Sequence, residues 1–189
     1  MPASLAGLDL TAMQLPMTVD AQDIKTDADT LAEPARLAEL RQANVLDSPA
    51  EESFDRLTRL ASRLVGAPVS LASFVDADRQ FFKSCTGEIP EPWRSARETP
   101  LSHSFCQHVV MRAEALVVND ARAHPLVKDN LAIPDLGVIA YAGMPIVTPQ
   151  GNVLGSFCVI DTQARDWSEE ELEILADLSK AASTEIALR

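Results

Sequence analysis

Two apolar runs, Ile139 to Val147 and Val153 to Ile160, flank a Pro149-Gln150-Gly151 turn and read as a hairpin of two strands. Each carries a few polar or sulfur side chains among its apolar ones, as expected of an element that borders both a core and a small cavity. A second hairpin reads from Val69 to Val75 and from Phe81 to Cys85, turned through Asp76-Ala77-Asp78. Leu116 to Asn119 supplies one more short strand. These segments commit the chain to a mostly antiparallel sheet.

Helices bracket that sheet. Pro34 to Leu46 has Leu37 and Leu40 at helical spacing, with Pro34 suited to a first turn. Ser48-Pro49-Ala50-Glu51 has the spacing of a capping box, and Phe54, Leu57, Ala61, Leu64 and Val65 then mark a buried stripe ended by Gly66 and Pro68. Ser102 or Ser104 is placed to cap a helix running to about Arg112. Residues 86–100, with three prolines, read as a long loop, and 120–137 as a loop with brief helical turns. Near the C-terminus, Ser168-Glu169-Glu170-Glu171 is a second capping box, and Leu172, Leu175, Ser179, Ala182 and Ile186 step by three and four. No Gly, Pro or Asn stop signal follows before Arg189, so this helix is expected to continue into further chain or to pair with a second copy; a final amphipathic helix that covers the sheet accounts for the same seam. The order of elements predicts an α+β domain whose N- and C-terminal helices pack on one face of the sheet.

Charge and cysteine usage exclude whole classes of function. The formal net charge is −12, which repels nucleic-acid phosphates and anionic membrane surfaces. No apolar run approaches the ~20 residues of a membrane span. Three cysteines at irregular spacing make no disulfide framework, and a cytoplasmic location is expected. Residues 1–33, with six acidic residues and one lysine, read as a mobile acidic leader, leaving 34–189 as the folded domain.

The segments LSHSFCQHVV at 101–110, AYAGMPIV at 140–147 and GSFCVID at 155–161, with LASFVDADRQFFKS at 71–84, resemble the GAF domain in order and spacing. The likeness is to GAF domains placed ahead of bacterial histidine kinases, cyclase-like (GGDEF) domains and serine phosphatases. It implies a non-catalytic sensor that binds a small molecule beside the sheet and signals through its terminal helices, within a homodimer, to an output domain that is fused or separate. The acidic-proline signature of bilin-binding relatives and the signature of cyclic-nucleotide-binding ones are both missing, so neither a bilin nor a cyclic nucleotide is expected, and the cofactor is unknown.

The resemblance places Phe105, Cys106, His108, Tyr141, Gly143 and Cys158 at the ligand cavity. The competing reading of Ser102 to His108 is a capped helix start in which Phe105 and Val109 face the core. Alternation sets Ser156, Cys158 and Ile160 on one sheet face. If Cys106 lies opposite Cys158, a reversible thiol pair follows, and with it two alternatives: a cysteine-based redox sensor or a reductase of free methionine sulfoxide. A third alternative is a dimerisation module with a vestigial pocket. His103, Cys106 and His108 lack metal-ligand spacing, and no metal is expected.

Overall fold

The computed structural model describes residues 26–189. A single six-stranded antiparallel sheet runs in the order β3-β2-β1-β6-β5-β4, formed by β1 (Val69–Val75), β2 (Arg79–Thr86), β3 (Glu98–Pro100), β4 (Leu116–Val118), β5 (Ala140–Val147) and β6 (Val153–Asp161). Both hairpins stand where the apolar runs place them. They meet along β1 and β6, with Leu71 opposite Cys158 and Ser73 opposite Ser156. Residues 86–100 are more ordered than a loop: α4 (Trp93–Ala96) and the edge strand β3 lie within them.

Because the inner strands are apolar on both sides, the sheet is buried on both faces. One face is covered by α2 (Pro34–Gln42), α3 (Glu52–Val65) and α7 (Glu169–Ala187). Beneath them alternate strand positions, among them Phe74, Ile146, Leu154 and Phe157, form one core. The opposite positions, Leu71, Val75, Tyr141, Cys158 and Ile160, form a second core under α5 (Cys106–Arg112) and α6 (Ala132–Leu136). Two cores on two faces give the chain a structural side and a cavity side.

The expected seam of α7 is used within the molecule. Leu175, Ser179, Ala182 and Ile186 are buried, and Ser179 Oγ donates to Pro145 O at 2.8 Å. Ser168 caps this helix reciprocally with Glu171, as its spacing implies. The other expected capping box is not formed. Helix α3 starts one turn later, after Glu51, and Ser48 instead donates to Val45 O and accepts from Lys83 Nζ. That buried ammonium outbids the backbone N–H for the serine oxygen, because an uncompensated charge costs far more than a solvated helix end. Residues 1–25 of the acidic leader lie outside the described residues. Its last part is helical: α1 (Asp27–Leu31) is capped by Thr26 and buries Leu31 in the second core.

A bulge shapes β2. Ala72 pairs with Ser84 and Ser73 with Phe82, leaving Lys83 unpaired between them. Lys83 and Ser84 both turn to the helical face, while Phe82 stays on the cavity side. Arg79, at the start of β2, ties the hairpin to Asp47 at 2.7 Å and to Glu98.

Candidate functional site

On the second face the sheet, the 101–103 turn and α6 enclose a cavity of about 40 Å³. Its floor comes from Val69 and Leu71 of β1, Phe82 of β2, Tyr141 of β5 and Ile160 of β6; Phe105 and Cys106 form one wall, and Ala132 and Leu136 of α6 the roof. Glu88 and Thr162 stand exposed at the rim. No lysine or arginine lines it. As closed, this volume holds about three waters, so a larger guest requires the roof to move.

His103 fastens the roof. It is 7% exposed, its Nε2 lies 2.8 Å from Asp135 Oδ2 on α6, and its Nδ1 lies 2.9 Å from Ser102 Oγ. Trp93 packs against the imidazole with ring centres 4.8 Å apart. Two further bonds join α6 to this segment: Leu131 N–H donates to Ser102 O at 3.1 Å and Asn130 Nδ2 to Ser104 O at 3.1 Å. Ser104 also caps α5, accepting from Gln107 N–H at 3.0 Å, as its position implies.

Below the cavity runs a buried polar chain. Tyr141 Oη donates to Cys106 Sγ at 3.3 Å and shares a 2.9 Å hydrogen bond with Ser156 Oγ. Gln80 Nε2 donates to Thr99 Oγ1 at 2.8 Å, and its Oε1 accepts from Ser104 Oγ at 2.7 Å. The hydrogen bond of the Cys158 thiol, then those of the Tyr141, Ser73 and Ser156 hydroxyls, hold the Cys106 pKa below the ordinary thiol value against the effect of burial. Burial pushes Cys158 well up, and the Cys106 sulfur adds to the rise. Burial likewise raises Tyr141. Cys106 is therefore the first of the three to ionise.

Of the six residues placed at the cavity from sequence, Phe105, Cys106 and Tyr141 line it. Cys158 is wholly buried one layer below, beside Cys106. Gly143 also lies off the cavity surface and serves Tyr141: a Cβ there would stand 2.2 Å from its hydroxyl oxygen and 2.7 Å from Ser156 Oγ. His108 is turned away. It is half-buried on the outer side of α5, near Asp27 and His124, with burial first and Arg112 second lowering its pKa. Two residues on from Cys106, it is rotated by more than half a helical turn. His103 takes the cavity position instead, and its partner Asp135 lies 32 residues further along the chain. Gln80, Phe82 and Leu136 were equally unmarked in sequence. Gln80 and Phe82 follow from strand alternation once the cavity face is known, whereas Asp135 follows from no local pattern. Among the described residues no group of His, Cys, Asp and Glu could hold a metal ion.

A model of the GAF domain family matches residues 49–186. A cyclic di-GMP phosphodiesterase of Pseudomonas aeruginosa is 32% identical over 134 residues, which cover 70% of this chain and 22% of that protein. The chain thus spans under a quarter of that relative's length. Solved structures share the fold at lower identity. The GAF domain of a phosphoenolpyruvate-protein phosphotransferase from Coxiella burnetii superposes with a TM-score of 0.60 at 20% identity, covering 80% of this chain and 92% of that one. A domain of a putative two-component sensor histidine kinase from Sinorhizobium meliloti gives 0.57 at 16% identity, over 72% of this chain and 90% of that one.

Proposed function

The chain belongs to the GAF domain family, and on that premise we propose that it is a sensory module that takes a small molecule into the cavity under α6 and passes the change to its terminal helices. GAF domains are generally regulatory, and the relatives here include sensor-kinase and phosphodiesterase domains. The observation that carries the reading is the cavity itself: a small, mostly apolar space whose roof is held by a few hydrogen bonds from one buried histidine segment. Lifting α6 breaks those bonds and leaves the sheet intact, so an occupied state is within reach of ordinary binding energies.

The lining defines the guest. Its polar groups are His103, Gln80, Tyr141, the Cys106 thiol and, at the rim, the Thr162 hydroxyl and the Glu88 carboxylate, with Asp135 behind the histidine. A carboxylate or phosphate placed there meets no lysine or arginine to offset its desolvation, and Asp135 already occupies His103 Nε2. The ligand is therefore neutral or cationic, compact and largely apolar. Signalling runs through a homodimer of the helical face, where Leu60 and Leu64 of α3, the latter outside the buried stripe expected of it, stand 39% and 58% exposed one turn apart, to a kinase, cyclase, phosphodiesterase or phosphatase output domain. Native mass spectrometry of freshly purified chain tests both parts. A dimer carrying a non-covalent mass without acidic groups is expected; a bare chain that takes up no neutral or cationic compound from a metabolite panel overturns the ligand reading.

A second reading rests on the Tyr141 to Cys106 hydrogen bond. With hydrogen peroxide as oxidant, the Cys106 thiolate attacks one peroxide oxygen, the O–O bond breaks, the sulfur becomes a sulfenic acid, and the departing hydroxide takes up the proton that the thiol had released and leaves as water. The Cys158 thiol then displaces a second water to give a disulfide. A loss of two hydrogens on peroxide treatment, reversed by thiol reductant and abolished in Cys158→Ser, supports this redox sensor; unchanged mass rejects it.

A further inference from the structure

A second concavity, of about 500 Å³, opens between α3, the outer end of β2 and the segment carrying α4. Arg59 of α3, Arg94 of α4 and Arg97 after it converge on this cleft from three positions, with Asp55 as the only acidic residue lining it. That sign is opposite to the chain's net charge of −12. Arg59 is paired with Glu52. Arg97 spends its donors on neutral groups, Ser48 O at 3.0 Å and Lys83 O at 3.1 Å, and lies over the Phe81 ring. Arg94 is exposed and has no carboxylate partner among the described residues. Asp55 is itself engaged, accepting from Ser84 Oγ at 2.6 Å.

Two guanidinium charges without ion-pair partners of their own therefore face one cleft against the single carboxylate of Asp55, and one of them is held rigid by two carbonyls. A concave surface with charge of one sign focuses its field on what enters, and the planar fork of arginine suits oxyanions. The volume falls within the range of small-molecule sites. Lys83, although it lines the cleft, contributes no free ammonium, because Ser48, Pro49 and Glu51 consume it. Gly87, also at the cleft, is explained by packing: a Cβ there would strike Pro68 O at 2.1 Å.

We propose that this cleft is an anion site, distinct from the cavity, for a small molecule bearing a multiply charged oxyanion, a phosphate or polycarboxylate group, held by Arg94, with Arg97 adding its charge from a guanidinium fixed on two carbonyls. The two sites share a wall, since Phe82 and Ile89 line both. An occupant of the cleft bears on the side chains that bound the cavity.

Pyrophosphate titrated at low salt into the isotope-labelled full chain tests the site. Saturable shifts of the Gly87 and Ser95 amides are expected, with Arg94→Glu weakening binding at least about tenfold. Arg122→Glu, at an arginine paired with Asp120 and absent from the cleft, is expected to change it less than about twofold. Citrate in parallel separates the sources: binding of both marks a general oxyanion site, binding of pyrophosphate alone a phosphate site. Absence of saturation up to ~10 mM, or equal weakening by Arg94→Glu and Arg122→Glu, overturns the proposal. Arg94→Gln repeats the measurement if charge reversal unfolds the chain.

Discussion

Lys83, wholly buried on β2, places its ammonium 2.5 Å from the carboxylate of Glu51 at the head of α3. The same carboxylate accepts from Arg189 after the end of α7, and Arg189 also lies over the Phe54 ring. One carboxyl group thus joins the sheet, the first long helix and the last. The β2 bulge makes this possible, because it turns Lys83 toward the helices while its neighbour Phe82 remains in the cavity wall. Removing one partner of such a pair strands the other charge.

Glu51→Gln is therefore expected to destabilise the fold by about 2 kcal/mol, below the range for wholly buried pairs because the carboxylate is partly solvated. The pH dependence follows in sign. Burial raises the Glu51 pKa, but the bonds from Arg189 and Lys83 outweigh it, and the folded value lies below the ordinary 4.5. The stability it contributes is complete above the unfolded value and is lost as pH falls through the folded one. Urea midpoints measured from about pH 7 to pH 3 should fall less steeply in Glu51→Gln than in the parent below about pH 4.5. Parallel profiles would show that the carboxylate titrates normally.

Two glycines rank by what a new methyl group would meet. At Gly155 a Cβ lies 2.0 Å from Ser73 O, a backbone atom of the paired strand. At Gly143 it meets the ends of the Tyr141 and Ser156 side chains, which can give way. Gly155→Ala is expected to cost about 3 kcal/mol or more and Gly143→Ala about 1–2 kcal/mol. Thermal or urea unfolding checks the order, and Gly143→Ala should also disturb the Cys106 environment.

Asp135→Ala cuts the His103 tie to α6 while touching a residue that is half exposed. Amide exchange across residues 131–138 is expected to quicken about threefold to tenfold, with Tm nearly unchanged. Exchange that stays at parent rates would show that the roof is held by its backbone bonds alone.

Leu60→Asp with Leu64→Asp places charges on the exposed face of α3 without entering the core. On the proposed homodimer, light scattering is expected to report a dimer for the parent and a monomer for the variant, with stability changed by less than about 1 kcal/mol. A parent that is already monomeric would confine signalling to a fused output.

Thiol labelling separates the cysteines. Cys85 is exposed while Cys106 and Cys158 are buried, but burial of its thiol pushes the Cys85 pKa up to about 11, so a maleimide is expected to modify Cys85 first, slowly at neutral pH and faster as pH rises, and the other two only after opening or unfolding. Tyr141→Phe removes the hydroxyl donor to Cys106 at a cost of about 1 kcal/mol and should slow any peroxide reaction of that thiol.

The sequence by itself determined the two hairpins, β4 and the long helices, because these depend on periodicity and turn chemistry within a few residues; the edge strand β3 and α4, in a segment read as a loop, came only with the tertiary fold. Val153 to Ile160 alternates between two apolar faces, and that alternation alone sets Cys158 and Ile160 apart from Phe157 and Val159. Ser168 with Glu171 is likewise a local pair, and it forms as written. The site depended on longer reach. Which of two histidines enters the cavity was decided by α5 starting at Cys106, which turns His108 outward and leaves His103 on the preceding turn facing Asp135. Ser48 was taken from its expected cap by a lysine 35 residues away. Contacts of that span are set only when the sheet closes, since their strength comes from burial and from charges with no other partner, neither of which a local pattern records.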